Sequence, residues 1–173
     1  ADQIKLNIHD ELPQTVIQTV DQVANSILEN INKAVVVNPI SLISLILLNA
    51  ENNALNENDL ISQIEQYRYL LNDIKYEQRM MMTELSPVEI IQYAIKLKQV
   101  ETFSQNNKNW IRVAESQRIL LSYFSNNILH CFILPALVAM IIQSYKKFSC
   151  HYLIDTIKNM YPYFKEEFFL KWN

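Results

Sequence analysis

The chain has 173 residues, half of them hydrophobic, so it is long enough and apolar enough to bury one hydrophobic core. Its net charge of -3 argues against nucleic acid as a partner, because binding to phosphates needs a basic face. The chain contains no glycine, which excludes phosphate-binding loops, nucleotide fingerprints and the nucleophile elbow of the α/β-hydrolases, since these need glycine for positive φ or close backbone approach.

The first half of the sequence predicts three helices. Pro13 suits the first turn of a helix, and valines and isoleucines then recur at helical spacing from Val16 to Ile31. The run 40–48 is almost entirely apolar and predicts a short helix that must be buried. Asn56 is a good N-cap for a third helix.

The middle of the chain predicts a loop, a helix and a β-hairpin. Residues 76–85 have no clear periodicity and are expected to form an irregular loop. The segment 86–89, Ser-Pro-Val-Glu, combines an N-cap serine, a proline at the first helical position and the glutamate of a capping box. β-Branched and aromatic residues flank the Asn-rich turn 105–108 and predict a hairpin.

The last third predicts apolar helices. One long helix is expected from about Ser116 to Tyr145, with a kink at Pro135. Ser149 is expected to cap a last helix, which Pro162 interrupts before an aromatic tail.

The fold class that follows is mostly α, a helical bundle with two special parts. One is a winged-helix-like module of three helices and a β-hairpin, and the other is the long proline-kinked apolar helix. We expect an N-terminal linking helix at 1–38, the winged-helix-like module at 39–114, and at 115–173 the kinked helix with aromatic C-terminal helices, which begin a further segment that the chain does not complete.

A polar group lies at helical spacing within an apolar part of the sequence: Tyr123, Asn126, Asn127 and His130. Buried polar groups need partners, so this group has two interpretations. It is either a polar seam that contacts substrate or braces a neighbouring active site, or a buried network that fixes helix register. No carboxylate lies three or four positions from His130, so a catalytic triad has no local support.

The apolar run 128–142 is shorter than the roughly 20 residues that cross a bilayer. Aromatic residues at its ends and two following lysines suit a helix that lies in the membrane interface, while the alternative is a core helix buried on all sides. The residues predicted to face the membrane are Phe132, Ile133, Leu134, Leu137 and Ile141.

No metal site or cofactor site is predicted. None of the three histidines has a second histidine or cysteine three or four positions away. The cysteines, Cys131 and Cys150, form no CxxC pair and are expected to be reduced thiols.

The winged-helix pattern also raises an alternative function, a stand-alone protein-interaction or DNA-binding module. The predicted recognition helix at 87–100 offers Lys96 and Lys98, which are set against Glu89 and Glu101. These charges make a poor site for phosphates, so packing against protein is the better interpretation of the module.

Two blocks of the sequence carry a resemblance to a known family. Residues 123–130 read Tyr-Phe-Ser-Asn-Asn-Ile-Leu-His and are followed at 133–137 by Ile-Leu-Pro-Ala-Leu, and residues 161–172 run from Tyr-Pro to Phe-Leu-Lys-Trp. With these blocks the chain resembles the region downstream of the catalytic domain in the bacterial membrane-bound glycerol-3-phosphate acyltransferases, whose members carry Tyr-Tyr-Arg-Asn-Asn-x-x-His, Leu-Pro-x-Leu-x-Ala and Tyr-Pro before Phe-Leu-Arg-Trp. The resemblance extends over about residues 31–172. Ser125 stands where relatives have arginine, which removes any phosphate contact that this arginine makes.

The resemblance implies a parent enzyme that moves a fatty acyl group from acyl-CoA or acyl carrier protein to the 1-hydroxyl of glycerol 3-phosphate. Such an enzyme works at the cytoplasmic face of the bacterial inner membrane, as a peripheral or monotopic protein. The implied partners are the catalytic domain of the same polypeptide, the membrane surface and, through the parent enzyme, the acyl donor. The family's catalytic motif, His-x-x-x-x-Asp, does not occur in this chain, so no catalytic residue is assigned and the chain alone is expected to be inactive.

Overall fold

The computed structural model describes residues 13–74, 76–77, 80–145 and 149–170. This part of the chain is mostly helical and has two small sheets. Its helices are α1 (Gln14–Lys33), α2 (Pro39–Leu48), α3 (Glu57–Ile74), α4 (Pro87–Lys96), α5 (Arg118–Leu129), α6 (Ile133–Ser144) and α7 (Cys150–Phe168). Its strands are β1 (Val36–Val37), β2 (Ala54–Asn56), β3 (Met81–Met82), β4 (Val100–Gln105) and β5 (Lys108–Val113).

Side-chain caps begin several of these helices. The predicted capping box at α4 is confirmed, because the Ser86 hydroxyl accepts a hydrogen bond from the Glu89 N–H while the Glu89 carboxylate accepts one from the Ser86 N–H. The Asn56 side chain accepts from the Asp59 N–H at 3.1 Å, as expected for the start of α3. The Asn38 side chain accepts a hydrogen bond from the Ser41 N–H at the start of α2. Each cap satisfies a backbone donor that the first helical turn leaves without a partner.

The predicted hairpin is confirmed. Strands β4 and β5 pair in antiparallel register, with Gln105 opposite Lys108. Asn106 and Asn107 between them have φ of 52° and 58°, the backbone of a type I′ turn, which asparagine tolerates better than other residues with a Cβ. Strand β2 pairs with the other edge of β5, so the sheet order is β2-β5-β4.

The loop predicted at 76–85 is not wholly irregular. Met81 and Met82 form β3 and pair in parallel with β1, which directly follows α1. The two strands are distant in sequence and only two residues long, so no periodicity marks either of them.

The core is built around α2. Residues 40–47 are all buried, as predicted for this apolar helix, and α2 packs against α5, α4 and α3. Two buried serines of α2, Ser41 and Ser44, and Ser125 on α5 are small, which lets closely packed helices approach one another.

The predicted long helix is two helices. The helix is interrupted at residues 130–132, and the axes of α5 and α6 are bent by 87° relative to each other. Pro135 explains the position of the break, because a proline ring clashes with the carbonyl four residues earlier, here that of Cys131, and offers it no N–H. Within the described residues no single helix is long and apolar enough to cross a membrane. The bent pair of α5 and α6 together has the length and apolar composition of a membrane span, and length and composition are its only such properties.

The prediction that Pro162 interrupts the last helix is wrong. Helix α7 begins at a cap made by Ser149 and continues through Pro162 to Phe168. The carbonyl of Lys158 is the one that the proline leaves without a helical partner. Both residues are exposed, so water can hydrate this carbonyl and the helix tolerates the proline.

Candidate functional site

The four residues of the predicted polar seam have two different environments. Tyr123 is 69% exposed, and Asn126 and Asn127 are exposed as well, whereas His130 is 6% exposed. The inward face of α5 is instead set by Leu121, Ser125 and Ile128, at spacings of four and three. The expectation of buried polarity is therefore wrong for the tyrosine and the two asparagines and correct for the histidine.

His130 lies at the turn between α5 and α6. Its Nε2 is 3.2 Å from the backbone oxygen of Asn32, and its ring meets the Tyr76 ring edge-on at a centroid distance of 4.7 Å. Burial lowers the pKa of the His130 imidazole, and the hydrogen bond to the Asn32 carbonyl partly offsets this. A neutral imidazole that donates Nε2–H to a carbonyl suits an anchor between two segments better than a general base.

Asn32 extends this contact to a third segment. Its side-chain amide donates to the backbone oxygens of Phe168 and Phe169, at 2.8 Å and 3.2 Å. Phe169 has a left-handed backbone, φ 49°, at the C-terminus of α7. The end of α1, the α5–α6 turn and the end of α7 thus meet at Asn32, which we call the Asn32 junction. Sequence reasoning missed it because its partners are far apart along the chain.

The two cysteines differ in their chemistry. Burial raises the pKa of the Cys131 thiol to about 12, which keeps it protonated and unreactive. Cys150 is exposed at the start of α7, and both cysteines are free. No cluster of three or more histidine, cysteine, aspartate or glutamate side chains suited to a metal ion occurs among the residues that the structure describes.

The residues predicted to face the membrane mostly face the protein. Phe132, Leu137 and Ile141 are buried, and Ile133 and Leu134 are partly buried. The bend before α6 is the reason, because it folds this helix back so that it contacts α7 instead of continuing outward from α5. The exposed large side chains of α6 are Met140 and Ile142, each 47% exposed.

An apolar groove lies between α3 and α6. It has a volume of about 330 Å³ and an almost wholly apolar lining, made of Leu70, Ile74, Leu134, Pro135, Val138, Ala139 and Ile142. We call it the α3–α6 groove. On each helix the main lining residues are four positions apart in the sequence: Leu70 and Ile74 on α3, and Leu134, Val138 and Ile142 on α6. The two sets lie side by side only because of the bend between α5 and α6.

Two exposed apolar surfaces complete the candidate sites. One lies on α5, where Ile119 is 79% exposed next to Tyr123. The other covers α1, which has no buried residue although its valines and isoleucines form a continuous face. Exposed patches of this kind mark surfaces that contact other molecules.

The sequence was compared with known proteins. The family described as "Glycerol-3-phosphate acyltransferase C-terminal region" matches residues 2–173. The chain is 30% identical over 167 residues to a glycerol-3-phosphate acyltransferase of Haemophilus influenzae, with 95% of this chain and 21% of the relative covered. It is 35% identical over 164 residues to one of Xanthomonas campestris pv. campestris, with 95% and 18% covered.

A third relative, from Pasteurella multocida, is 30% identical over 158 residues, which cover 90% of this chain and 20% of that protein. The chain therefore spans about a fifth of the length of the curated relatives it matches. These relatives do not favour the alternative of a stand-alone DNA-binding module. The chain belongs to the family of glycerol-3-phosphate acyltransferase C-terminal regions.

Proposed function

We propose that this chain is the non-catalytic C-terminal region of a glycerol-3-phosphate acyltransferase. The parent enzyme joins the 1-hydroxyl oxygen of glycerol 3-phosphate to the acyl carbon of an acyl-CoA or acyl-carrier-protein thioester and releases the thiol, the first step of phospholipid synthesis. The observation that carries the proposal is the family match over residues 2–173, in a sequence without His-x-x-x-x-Asp. The residues five positions after the three histidines are Gln14, Pro135 and Thr156.

Within this proposal, the exposed face of α5 supports the catalytic domain. The tyrosine and the two asparagines of the seam lie on this face together with Ile119. A mixed apolar and amide surface is typical of contacts between domains, since it buries apolar area and offers hydrogen bonds. The seam then braces the active site from outside this chain's core, while His130 holds the end of α5 in place.

Residues 39–114 act as a winged-helix-like packing module. The element order α2, β2, α3, β3, α4, β4, β5 and the sheet order β2-β5-β4 support this part of the proposal, with β3 in a separate sheet. Arg112 on β5 is paired with Glu101 at 2.9 Å, so the hairpin offers little free positive charge to a phosphate backbone. Residues 1–38 link the module to the rest of the enzyme, and 115–173 form the apolar C-terminal part.

The chain, as the C-terminal region of the parent enzyme, also helps to hold that enzyme at the cytoplasmic face of the bacterial inner membrane. The α3–α6 groove and the exposed Met140, Ile142 and Tyr145 support this idea, because Ile142 lines the groove and the other two are its close neighbours in the sequence. The sequence places Lys146 and Lys147 directly after Tyr145. Apolar and aromatic side chains next to cations favour the interface of an anionic membrane.

Two measurements of acyl transfer test the proposal. The isolated chain should transfer no acyl group from acyl-CoA or acyl carrier protein to glycerol 3-phosphate. In the full-length enzyme, replacing Asn127→Asp and Tyr123→Ala together should lower kcat/KM by about a hundredfold, because a small displacement of the reacting groups is costly.

A matched variant controls for effects on α-helix stability and solubility. Asn58→Asp and Tyr93→Ala change the same residue types at exposed positions of α3 and α4, away from α5. This control should keep its activity. Activity in the isolated chain, or equal activity in the two double variants, would contradict the proposed role.

A further inference from the structure

The aliphatic face of α1 carries six exposed large apolar side chains that no other described residue buries. Its members recur at spacings of three and four and are between 41% and 61% exposed: Val16, Ile17, Val20, Val23, Ile27 and Ile31. A helix of 20 residues is about 30 Å long, so this face is a long stripe. A helix with such a face is stable in water only when another surface covers it.

Helix α1 is fixed to the rest of the structure at its end. The Asn32 junction joins it to the end of α7 and to His130, and the buried Val35 and Val37 follow directly. The chain therefore holds α1 at a defined position while the aliphatic face stays exposed.

A lipid surface does not fit this face. Helix α1 has no aromatic residue, and its single cation, Lys33, pairs with Glu29 at 3.6 Å. Helices that lie in membrane interfaces carry lysine or arginine along the polar face and aromatic residues at the boundary. The chemistry indicates an apolar protein surface instead.

A second copy of the helix fits less well than a globular surface. Helix α1 has 20 residues, so a coiled coil on it covers fewer than the three or four heptads of a stable coiled coil. Ile17 and Ile31 widen the stripe beyond the narrow seam that two helices share. A wide stripe is typical of a helix that packs on a globular domain.

We propose that the aliphatic face of α1 packs against the acyltransferase portion of the same polypeptide. This inference rests on the proposed function, since it needs a parent enzyme. The chain spans about a fifth of its relatives and matches a C-terminal region, so most of the sequence of those proteins lies outside the matched stretch and is available to cover this face.

Site-specific photo-crosslinking in the full-length enzyme tests the inference. A benzophenone amino acid is placed at Val23, at the centre of the face, and at Asn25, on the opposite side of the helix, as the matched control. We expect mass spectrometry to find a cross-link from Val23 to a peptide of the same polypeptide outside residues 1–173. The Asn25 control should give none.

Mixing isotope-labelled and unlabelled enzyme separates contacts within one polypeptide from contacts between two. A Val23 cross-link to a second copy, to lipid or within residues 1–173 would overturn the inference, and so would a yield no higher than that of the control. Acyl transfer measured on the unmodified enzyme and its α5 variants tests the proposed function separately, so the two can fail independently.

Hydrogen exchange provides a measurement that needs no substitution. The backbone amides of α1 should exchange much more slowly in the full-length enzyme than in the isolated chain, because docking suppresses opening of the helix. Equal exchange rates in the two proteins would count against the docking.

Discussion

Among the four residues of the polar seam, His130 is the one that the structure buries. In the sequence it belongs to a polar group with two interpretations, a seam near substrate or a buried network that fixes helix register. In the structure it is a buried anchor between the Asn32 carbonyl and the Tyr76 ring. Its environment makes the protonation of this one side chain a determinant of stability.

The stability of the chain should fall at acidic pH because of His130. Its pKa is lower in the folded protein than its ordinary value, so the unfolded state binds a proton more readily. The contribution is complete above the unfolded pKa and is lost as the pH falls from about 7 through the folded pKa. Urea unfolding at several pH values between about 8 and 5 should show this loss.

The substitution His130→Gln should remove this part of the pH dependence, although it also lowers stability at neutral pH. His151 is the matched control, since it is exposed and pairs with Asp155 at 3.1 Å. The variant His151→Gln should keep the loss of stability at low pH. An unchanged pH profile in His130→Gln would show that another group is responsible.

The sequence predicted the burial of His130 but not the exposure of Tyr123, Asn126 and Asn127. The inward face of α5 includes a serine, Ser125, so counting apolar residues does not identify it. The buried serines of α2, the helix that packs against α5, are likewise hidden from such a count. At Ser125 the small size of the side chain allows a polar residue to lie in the helix contact between Leu121 and Ile128.

At the scale of single elements, helix starts are the most predictable feature. The capping box of α4 is local, because Ser86 and Glu89 are three residues apart and satisfy each other's backbone donors. Replacing Ser86→Ala should destabilise the chain by about 1 kcal/mol, measured by urea unfolding. The serine is exposed, so the loss reports on the cap and not on packing.

Ser122→Ala provides the control for this substitution. Ser122 lies within α5 and its hydroxyl donates to the Arg118 carbonyl on the same helix. Its loss should change stability by less than about 0.5 kcal/mol. If the two variants are equally stable, the cap does not contribute as the geometry indicates.

Elements that depend on distant partners were not predicted. The pairing of β1 with β3 and of β2 with β5 joins segments without any periodic signal in common. The bend between α5 and α6 is an intermediate case. Pro135 predicted a kink near this position. The observed bend of 87° is larger, and it turns α6 back so that this helix packs on the protein.

At the scale of the whole molecule, the apolar surface formed by the exposed side chains of α6 and the α3–α6 groove has a measurable consequence. We expect the chain to sediment with anionic liposomes. Replacing Met140→Glu and Ile142→Glu should weaken this partitioning at least about tenfold, because two large apolar side chains no longer enter the interface.

The control is Tyr93→Glu, a charge placed on an exposed aromatic residue of α4. It should partition like the unmodified chain. Sedimentation that is the same for all three proteins would reject the membrane role of this surface. Charges at the buried Leu137 or Ile141 are unsuitable, since they would disturb the fold itself.

The overall class was predictable from the sequence, and the arrangement of its parts was not. Mostly helical structure and the hairpin follow from spacing and turn chemistry. The faces that remain exposed follow from how the helices pack, which depends on contacts between elements that are distant in the sequence.

The Asn32 junction also constrains the order in which the chain folds during its synthesis. The hydrogen bond from Asn32 to Phe168 joins residues 136 positions apart, so it cannot form until residue 168 has left the ribosome. Helix α1 is made before α7, and the bonds that fix its end depend on α7. In the interval between the two, the nascent chain carries an aliphatic helix without its anchor, which favours aggregation.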